Sequence, residues 1–195
     1  MSRNDIPPLV QAAVAHAQFE SIHPFPDGNG RVGRALVHAL LRSKGLTRNI
    51  TVPVSAGLLT DTDAYFAALD AFHEGDQARI VLRFSEASFS AIDNGRRLIH
   101  DLRGVRRRWN GVIDARKGSA PHGLADLLVR QPVVNSPFVQ RELKVSAQNV
   151  DLAIRRLVDA GVLHQIGSAQ RNRKWEPREV LAALDAFAAR AGRRR

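Results

Sequence analysis

The stretch HPFPDGNGRVGR, residues 23–34, organises the reading of this chain. It is too polar and too rich in glycine for a core, and it lies between two apolar patterns of helical spacing. Upstream, Leu9, Ala13, Ala17 and Ile22, with Val14 and Phe19 beside them, give one helical face. Pro7 and Pro8 suit the first turn of that helix. Downstream, Val32, Ala35, Leu36, Ala39 and Leu40 mark a second helix, with Gly45 as its expected end. The stretch is therefore predicted to be a loop feeding a helix N-terminus.

Its residue types then suggest a chemistry. Gly28, Asn29 and Gly30 expose backbone N–H groups where a helix begins, which makes an anion site. Arg31 and Arg34 lie three apart on one face and suit a polyphosphate as two guanidinium forks. Asp27 is a hard oxygen ligand of the kind Mg²⁺ takes. His23 titrates near neutrality and suits a general base. Pro24 and Phe25 are expected to stiffen the turn and anchor it in the core. Base, metal ligand, anion nest and clamp together point to attack on a nucleotide phosphate.

The chain has 195 residues, 44% of them apolar and none of them cysteine, which excludes disulfides and thiolate metal sites. No signal-peptide pattern and no membrane-length apolar run is present, so a soluble, cytoplasmic chain with no membrane partner is expected. The formal net charge is +10. Residues 1–95 hold 8 Lys/Arg against 10 Asp/Glu, a net of −2, and residues 96–195 hold 21 against 9, a net of +12. That asymmetry predicts two modules, the second with an acidic partner. An arginine-rich surface with no partner is the plain alternative.

Residues 49–62 read as a connector with short extended pieces. Residues 63–76, DAYFAALDAFHEGD, read as a helix ended by Gly75. Residues 77–103 read as a longer helix with Ile80, Leu82, Phe84, Ala87, Phe89, Ile92 and Leu98 recurring along it. KGSAPHG, residues 117–123, reads as a linker. Beyond it come a short helix, a helix capped by Ser136, a turn, a helix capped by Ser146 with Val150, Ile154, Leu157 and Val158 inward, and a hairpin around residues 168–172. That order predicts a winged helix-turn-helix, followed by one terminal helix. Gln148, Asn149, Arg155 and Arg156 face outward on its second long helix, placed for a DNA major groove, with protein docking as the other use of such a module. His16 is expected to be a packing residue, and Trp109 and Trp175 to be anchors.

The dodecapeptide resembles the signature of Fic-domain proteins, His-Pro-Phe-x-(Asp/Glu)-Gly-Asn-Gly-Arg-x-x-Arg, and meets it at every specified position. AHAQFESIHPF is similar to that family's lead-in helix, and AYFAALDAFHEGD to its Tyr-Tyr…Leu…Glu-Gly-Asp segment. The resemblance implies a mainly α architecture: a helical Fic core at 1–117, then a small α+β winged helix domain at 118–195. It implies transfer of AMP from ATP, with Mg²⁺, to a Ser, Thr or Tyr hydroxyl of a target protein. His23 would be the base and Asp27 the metal ligand. Gly28, Asn29, Gly30, Arg31 and Arg34 would hold the phosphates. Tyr65, Phe66 and His73 would lie on the adenine side, where Phe66 and His73 replace the family's Tyr and Asn. Only 22 residues precede His23, so the target-aligning flap of relatives is expected to be missing. Two alternatives stay open: a weakly catalytic remnant that regulates through DNA, and an enzyme that uses another phosphate donor or removes AMP. Oligomeric state is not legible.

Overall fold

The computed structural model describes residues 5–47, 53–58 and 60–191. The fold is mainly α with one small hairpin. In order the elements are α1 (Pro8–Ile22), α2 (Asn29–Ser43), α3 (Val54–Leu58), α4 (Thr62–His73), α5 (Gln77–Val112), α6 (Ala120–Arg130), α7 (Ser136–Leu143), α8 (Ala147–Asp159), β1 (His164–Gln165), β2 (Trp175–Glu176) and α9 (Arg178–Arg190). No described helix is long and apolar enough to cross a membrane.

Two compact units divide the chain. One holds Met1–Gly95 with Ala189–Arg195, the other Arg96–Ala188. The division lies within α5, between Gly95 and Arg96, where the charge balance also changes, whereas the resemblance implied 117/118. The reason is the periodicity of that helix. Ile80, Phe84 and Ala87 are buried in the first core, while Val105, Trp109 and Ile113 are buried in the second. The basic residues of 96–112 occupy the outer face of a helix whose inner face keeps its four-residue spacing, so α5 does not stop at residue 103.

The first core is built on α1 and α2. Ala12, Ala13 and Ala17 are fully buried, and Val37 and Leu41 face them. Gly33 decides how closely the two helices pack. A Cβ there would lie 2.3 Å from Glu20 Oε1 and 3.1 Å from the His16 ring. Ile22, placed on the inner face by spacing, is instead exposed, because α1 ends there. Along α5, Leu82 and Phe89 are likewise exposed, and Ile80, Phe84, Ala87 and Ala91 carry the buried stripe.

Within the connector, expected to hold short extended pieces, Val54–Leu58 form the short helix α3; its residues 49–52 and 59 lie outside the described residues. Gly57 presses on α5, where a Cβ would stand 2.4 Å from the Ala87 carbonyl oxygen.

In the second unit α6 starts at Ala120, inside the expected linker, with Pro121 in its first turn and both Pro121 and His122 buried. The cap of α7 is Asn135 and not Ser136: its side chain accepts from the Phe138 N–H. Ser146 caps α8 as expected, accepting from the Asn149 N–H. The inner face of α8 is Val150, Ala153, Ile154 and Leu157, and Val158 is exposed. Strands β1 and β2 pair antiparallel, His164 with Glu176 and Gln165 with Trp175, and Val134 bridges the other side of Trp175. Trp109 and Trp175 are both buried. Trp109 Nε1–H donates to Glu179 Oε1 at 2.8 Å, and Arg108 donates to Oε2 of the same carboxylate. Burial pushes the Glu179 carboxyl up, but Arg108 and the Trp109 N–H outweigh it and leave it below its usual range.

Gly33→Ala is expected to lower stability by about 1–3 kcal/mol, because Glu20 and the His16 ring must both yield to the methyl group. Urea unfolding checks this; a variant as stable as wild type would show that α1 and α2 separate at no cost.

Candidate active site

The segment between α1 and α2 is a tight turn held from within. His23 ends α1 in the left-handed conformation (φ 48°, ψ 56°), its N–H donating to the Phe19 carbonyl at 3.0 Å. That region is uncommon for a residue with a Cβ, and glycine usually fills it at a helix end. Histidine therefore stands where glycine is the commoner choice, a backbone outlier of the kind from which a functional hypothesis starts.

Asn29 closes the turn. It is 2% exposed, its Nδ2 donates to the Phe25 carbonyl at 2.6 Å, and its Oδ1 accepts from the Phe25 N–H at 2.9 Å. The side chain is thus spent on the loop, and only its backbone is left for an anion. The Phe25 ring was expected to anchor the turn in the core. It is instead 46% exposed, 6.2 Å from the Phe19 ring, and the backbone pairing with Asn29 does the anchoring.

Gly28 precedes α2 with φ 82°, and α2 has no side-chain cap. The first N–H groups of a helix lack intrahelical partners, so an uncapped start favours an anion. One local acid already leans on it: Asp27 Oδ1 accepts from the Gly28 N–H at 2.6 Å, and Oδ2 pairs with Arg31 at 3.3 Å. Both of those side chains are well exposed. Arg34 is half-buried, one turn into the helix, and a Cβ on Gly30 would lie 3.1 Å from its Nη1. Arg34 thus lies across the glycine at the helix start, where a side chain at position 30 would press on it.

Sequence reasoning gave His16 only a packing role. It is 1% exposed and contacts three other helices: it meets Gly33 of α2, its ring centroid is 5.3 Å from that of Phe84 on α5, and its Nε2 is hydrogen-bonded to the Tyr65 hydroxyl of α4 at 2.8 Å. Glu20 Oε1 is 3.9 Å from the same Nε2. The legible signal was the i, i+4 spacing of His16 and Glu20 on a helix face otherwise made of alanine. Burial pushes the His16 imidazole below its ordinary pKa against the pull of the Gly33 backbone and of Glu20, with Arg34 reinforcing the burial. Burial also pushes the Tyr65 hydroxyl up to about 12.

Tyr65 therefore turns its hydroxyl inward, while Phe66 is 59% exposed and His73 is exposed at the end of α4. In the second unit Gln148, Asn149, Arg155 and Arg156 are all exposed on α8. Two of them have internal partners: Arg156 donates to the Asp114 carbonyl at 2.6 Å, and Arg155 to the Asp151 carbonyl at 3.4 Å. Asp151 and Asp159 share a concavity of about 350 Å³ with Arg155, Arg173 and Trp175. That surface is mixed in charge, unlike one built for a phosphate backbone.

Residues 1–41 match the Fic/DOC family profile. This N-terminal segment is similar to the Fic/DOC family over those residues. Its relatives include a probable protein adenylyltransferase of Aquifex aeolicus, 58% identical over 36 residues, which are 18% of this chain and 11% of that protein. A protein adenylyltransferase of Caenorhabditis elegans is 36% identical over 86 residues, 43% of this chain and 16% of that protein. A Fido domain-containing protein of Dictyostelium discoideum is 40% identical over 93 residues, 45% of this chain and 60% of that protein. The chain thus spans between 11% and 60% of the length of these three relatives.

Two outcomes test this geometry. Asn29→Ala removes both bonds to Phe25 in a buried place, and a loss of about 1–3 kcal/mol is expected in denaturant unfolding. An unaffected midpoint would mean that the turn closes without Asn29. The second concerns pH. The folded His16 imidazole resists protonation, whereas the unfolded one protonates near pH 6.5. The unfolded state then binds more protons. The contribution of His16 is fully present above about pH 6.5 and is lost as pH falls towards the lowered folded value. The unfolding temperature of wild type should therefore drop more between pH 7.5 and 5.5 than that of His16→Gln. Parallel slopes would assign the titration to other groups.

Proposed function

We propose that the chain carries the catalytic loop of a protein adenylyltransferase, moving AMP from ATP to a hydroxyl side chain of a target protein. One observation carries the reading: His23 is held in a left-handed backbone at the end of α1, beside an uncapped α2 whose first two turns bear Arg31 and Arg34. A base and an anion-binding helix start are thus joined by a turn that Asn29 ties shut. The names of the relatives support the same reaction class.

In this mechanism the triphosphate lies on the backbone N–H groups at the start of α2, with Arg31 and Arg34 against its outer phosphates. The acceptor hydroxyl oxygen attacks the α-phosphorus as its proton passes to the His23 imidazole. The bond between the α-phosphorus and the bridging oxygen to the β-phosphate breaks, and pyrophosphate leaves with that electron pair. The protein supplies positioning and charge neutralisation, which are the main requirements of phosphoryl and nucleotidyl transfer.

Asp27 is the residue that would hold Mg²⁺. Among the described residues no group of three or more acids and histidines forms a metal cage. A single exposed carboxylate suits an ion that completes its shell with phosphate oxygens and water, and such an ion would neutralise charge on the phosphates.

His23→Gly is the informative variant, because glycine accepts the left-handed backbone that histidine occupies. Stability should stay within about 1 kcal/mol of wild type, while transfer from labelled ATP falls on the order of 10²–10⁴-fold. Undiminished labelling by the folded variant would remove His23 from the base role. In parallel, Arg34→Ala should weaken ATP binding more than AMP binding in calorimetry; equal losses would detach it from the outer phosphates.

A further inference from the structure

In the second unit one face of α8 and the hairpin of β1 and β2 line a concavity of about 350 Å³. Asp151, Arg155 and Asp159 come from the helix at four-residue steps, and Arg173 and Trp175 come from the hairpin. The floor is apolar. Ile154 and Trp175 are 5% and 4% exposed, and Val158 stands beside them at 41%. The Arg173 guanidinium lies over the Trp175 ring, 5.3 Å from its centroid, so the ring places that charge at the wall. Gln165 holds the turn that returns the chain to Arg173: its Nε2 donates to the Ala169 carbonyl at 2.9 Å and to the Gly167 carbonyl at 3.4 Å.

Two acids and two bases therefore surround one apolar floor. Arg155 lies four residues from each aspartate, the spacing at which ion pairs form on a helix. Among the described residues it forms neither pair, and Arg173 forms none with the aspartates. Arg155 Nε donates instead to the Asp151 main-chain carbonyl at 3.4 Å. A ligand of one sign meets two of these groups that attract it and two that repel it. A ligand that carries both signs on neighbouring atoms meets the attraction of each pair. The volume is at the lower end of small-molecule pockets, which run from about 300 to 1,000 Å³, and it suits a ligand of amino-acid size.

We propose that this concavity binds a free α-amino acid with an apolar side chain. The carboxylate sits on Arg155 and Arg173, as charge-assisted hydrogen bonds to guanidinium groups. The ammonium sits on Asp159. Arg155 leans back towards residue 151, so of the two carboxylates that of Asp159 lies clear of it. The ligand side chain covers Ile154, Val158 and Trp175. The site lies wholly in the second unit and draws on no residue of the 23–34 loop.

The experiment titrates L-leucine and L-phenylalanine into the isotope-labelled full chain and follows the amide resonances. Saturable shifts gathered on α8 and the hairpin are expected with at least one of them; none with either overturns the site. The N-acetyl form of the amino acid that binds lacks the ammonium, and its amide form lacks the carboxylate. Each is expected to bind roughly tenfold or more weakly, the size of a lost hydrogen bond between charged groups. Analogues as tight as the parent overturn recognition of a zwitterion. Asp159 and Arg173 are both exposed, so Asp159→Asn and Arg173→Gln spare the core. Asp159→Asn is expected to weaken the parent amino acid roughly tenfold while leaving the N-acetyl form unchanged, and Arg173→Gln to do the same with the amide form unchanged. Equal losses on parent and analogue overturn the assignment of the two charges. Tripolyphosphate that saturates the same amides as tightly as the amino acid marks a polyanion site and overturns the proposal.

Discussion

The close approach of α1 and α2 at Gly33 is the constraint on which the first unit depends. It is possible because the facing residues are small: Ala12, Ala13 and Ala17 on one helix, glycine on the other. Helices that pack this closely leave little span for the connection between them. The seven residues from His23 to Asn29 make that turn with two left-handed positions, at His23 and at Gly28. Glycine fills one of them at no cost. The other is filled by the residue on which a general-base reading depends.

The same packing sets the electrostatics. An uncapped helix start needs an acceptor, and the loop offers only Asp27, well exposed and shared with Arg31. Asn29 would be a natural competitor for those N–H groups, but it is spent on Phe25 inside the turn. The structure therefore ties down the loop with a buried amide and leaves the start of α2 without a side-chain cap, which is the feature the proposed anion site rests on. Behind them His16 carries a polar contact that reaches α4 from α1, in surroundings whose burial lowers the imidazole pKa.

The second unit answers to a different balance. Its charge is carried on outer helix faces, while Trp109, Leu124, Leu128, Leu157 and Trp175 fill the core. Several arginines are committed to holding elements together: Arg106 to Asp126, Arg108 to Glu179, Arg156 to the Asp114 carbonyl. A net charge of +12 therefore overstates what is free to meet a polyanion. The helix order expected from caps and spacing is present, with short strands paired as β1 and β2.

Local order was legible because it is written in neighbours a few residues apart. Proline at the start of α1, Ser146 before α8, the glycines after α2 and α4, and the four-residue apolar spacing each act within one or two turns. The loop was legible for the same reason: its residues are contiguous, and their chemistry needs no distant partner. Tertiary structure decided whatever depends on which face meets which. It buried Ala91 and exposed Leu82 and Phe89 on one helix, since spacing alone does not say where a stripe is covered. It carried α5 through a basic segment that composition read as a boundary, because charge on the outer face says nothing of Val105, Trp109 and Ile113 on the inner one. It withdrew Arg156 to a carbonyl 42 residues away in sequence. And it turned His16 from filler into the residue that ties α1 to α4, a role set by a tyrosine 49 positions away that no pattern along the chain connects to it.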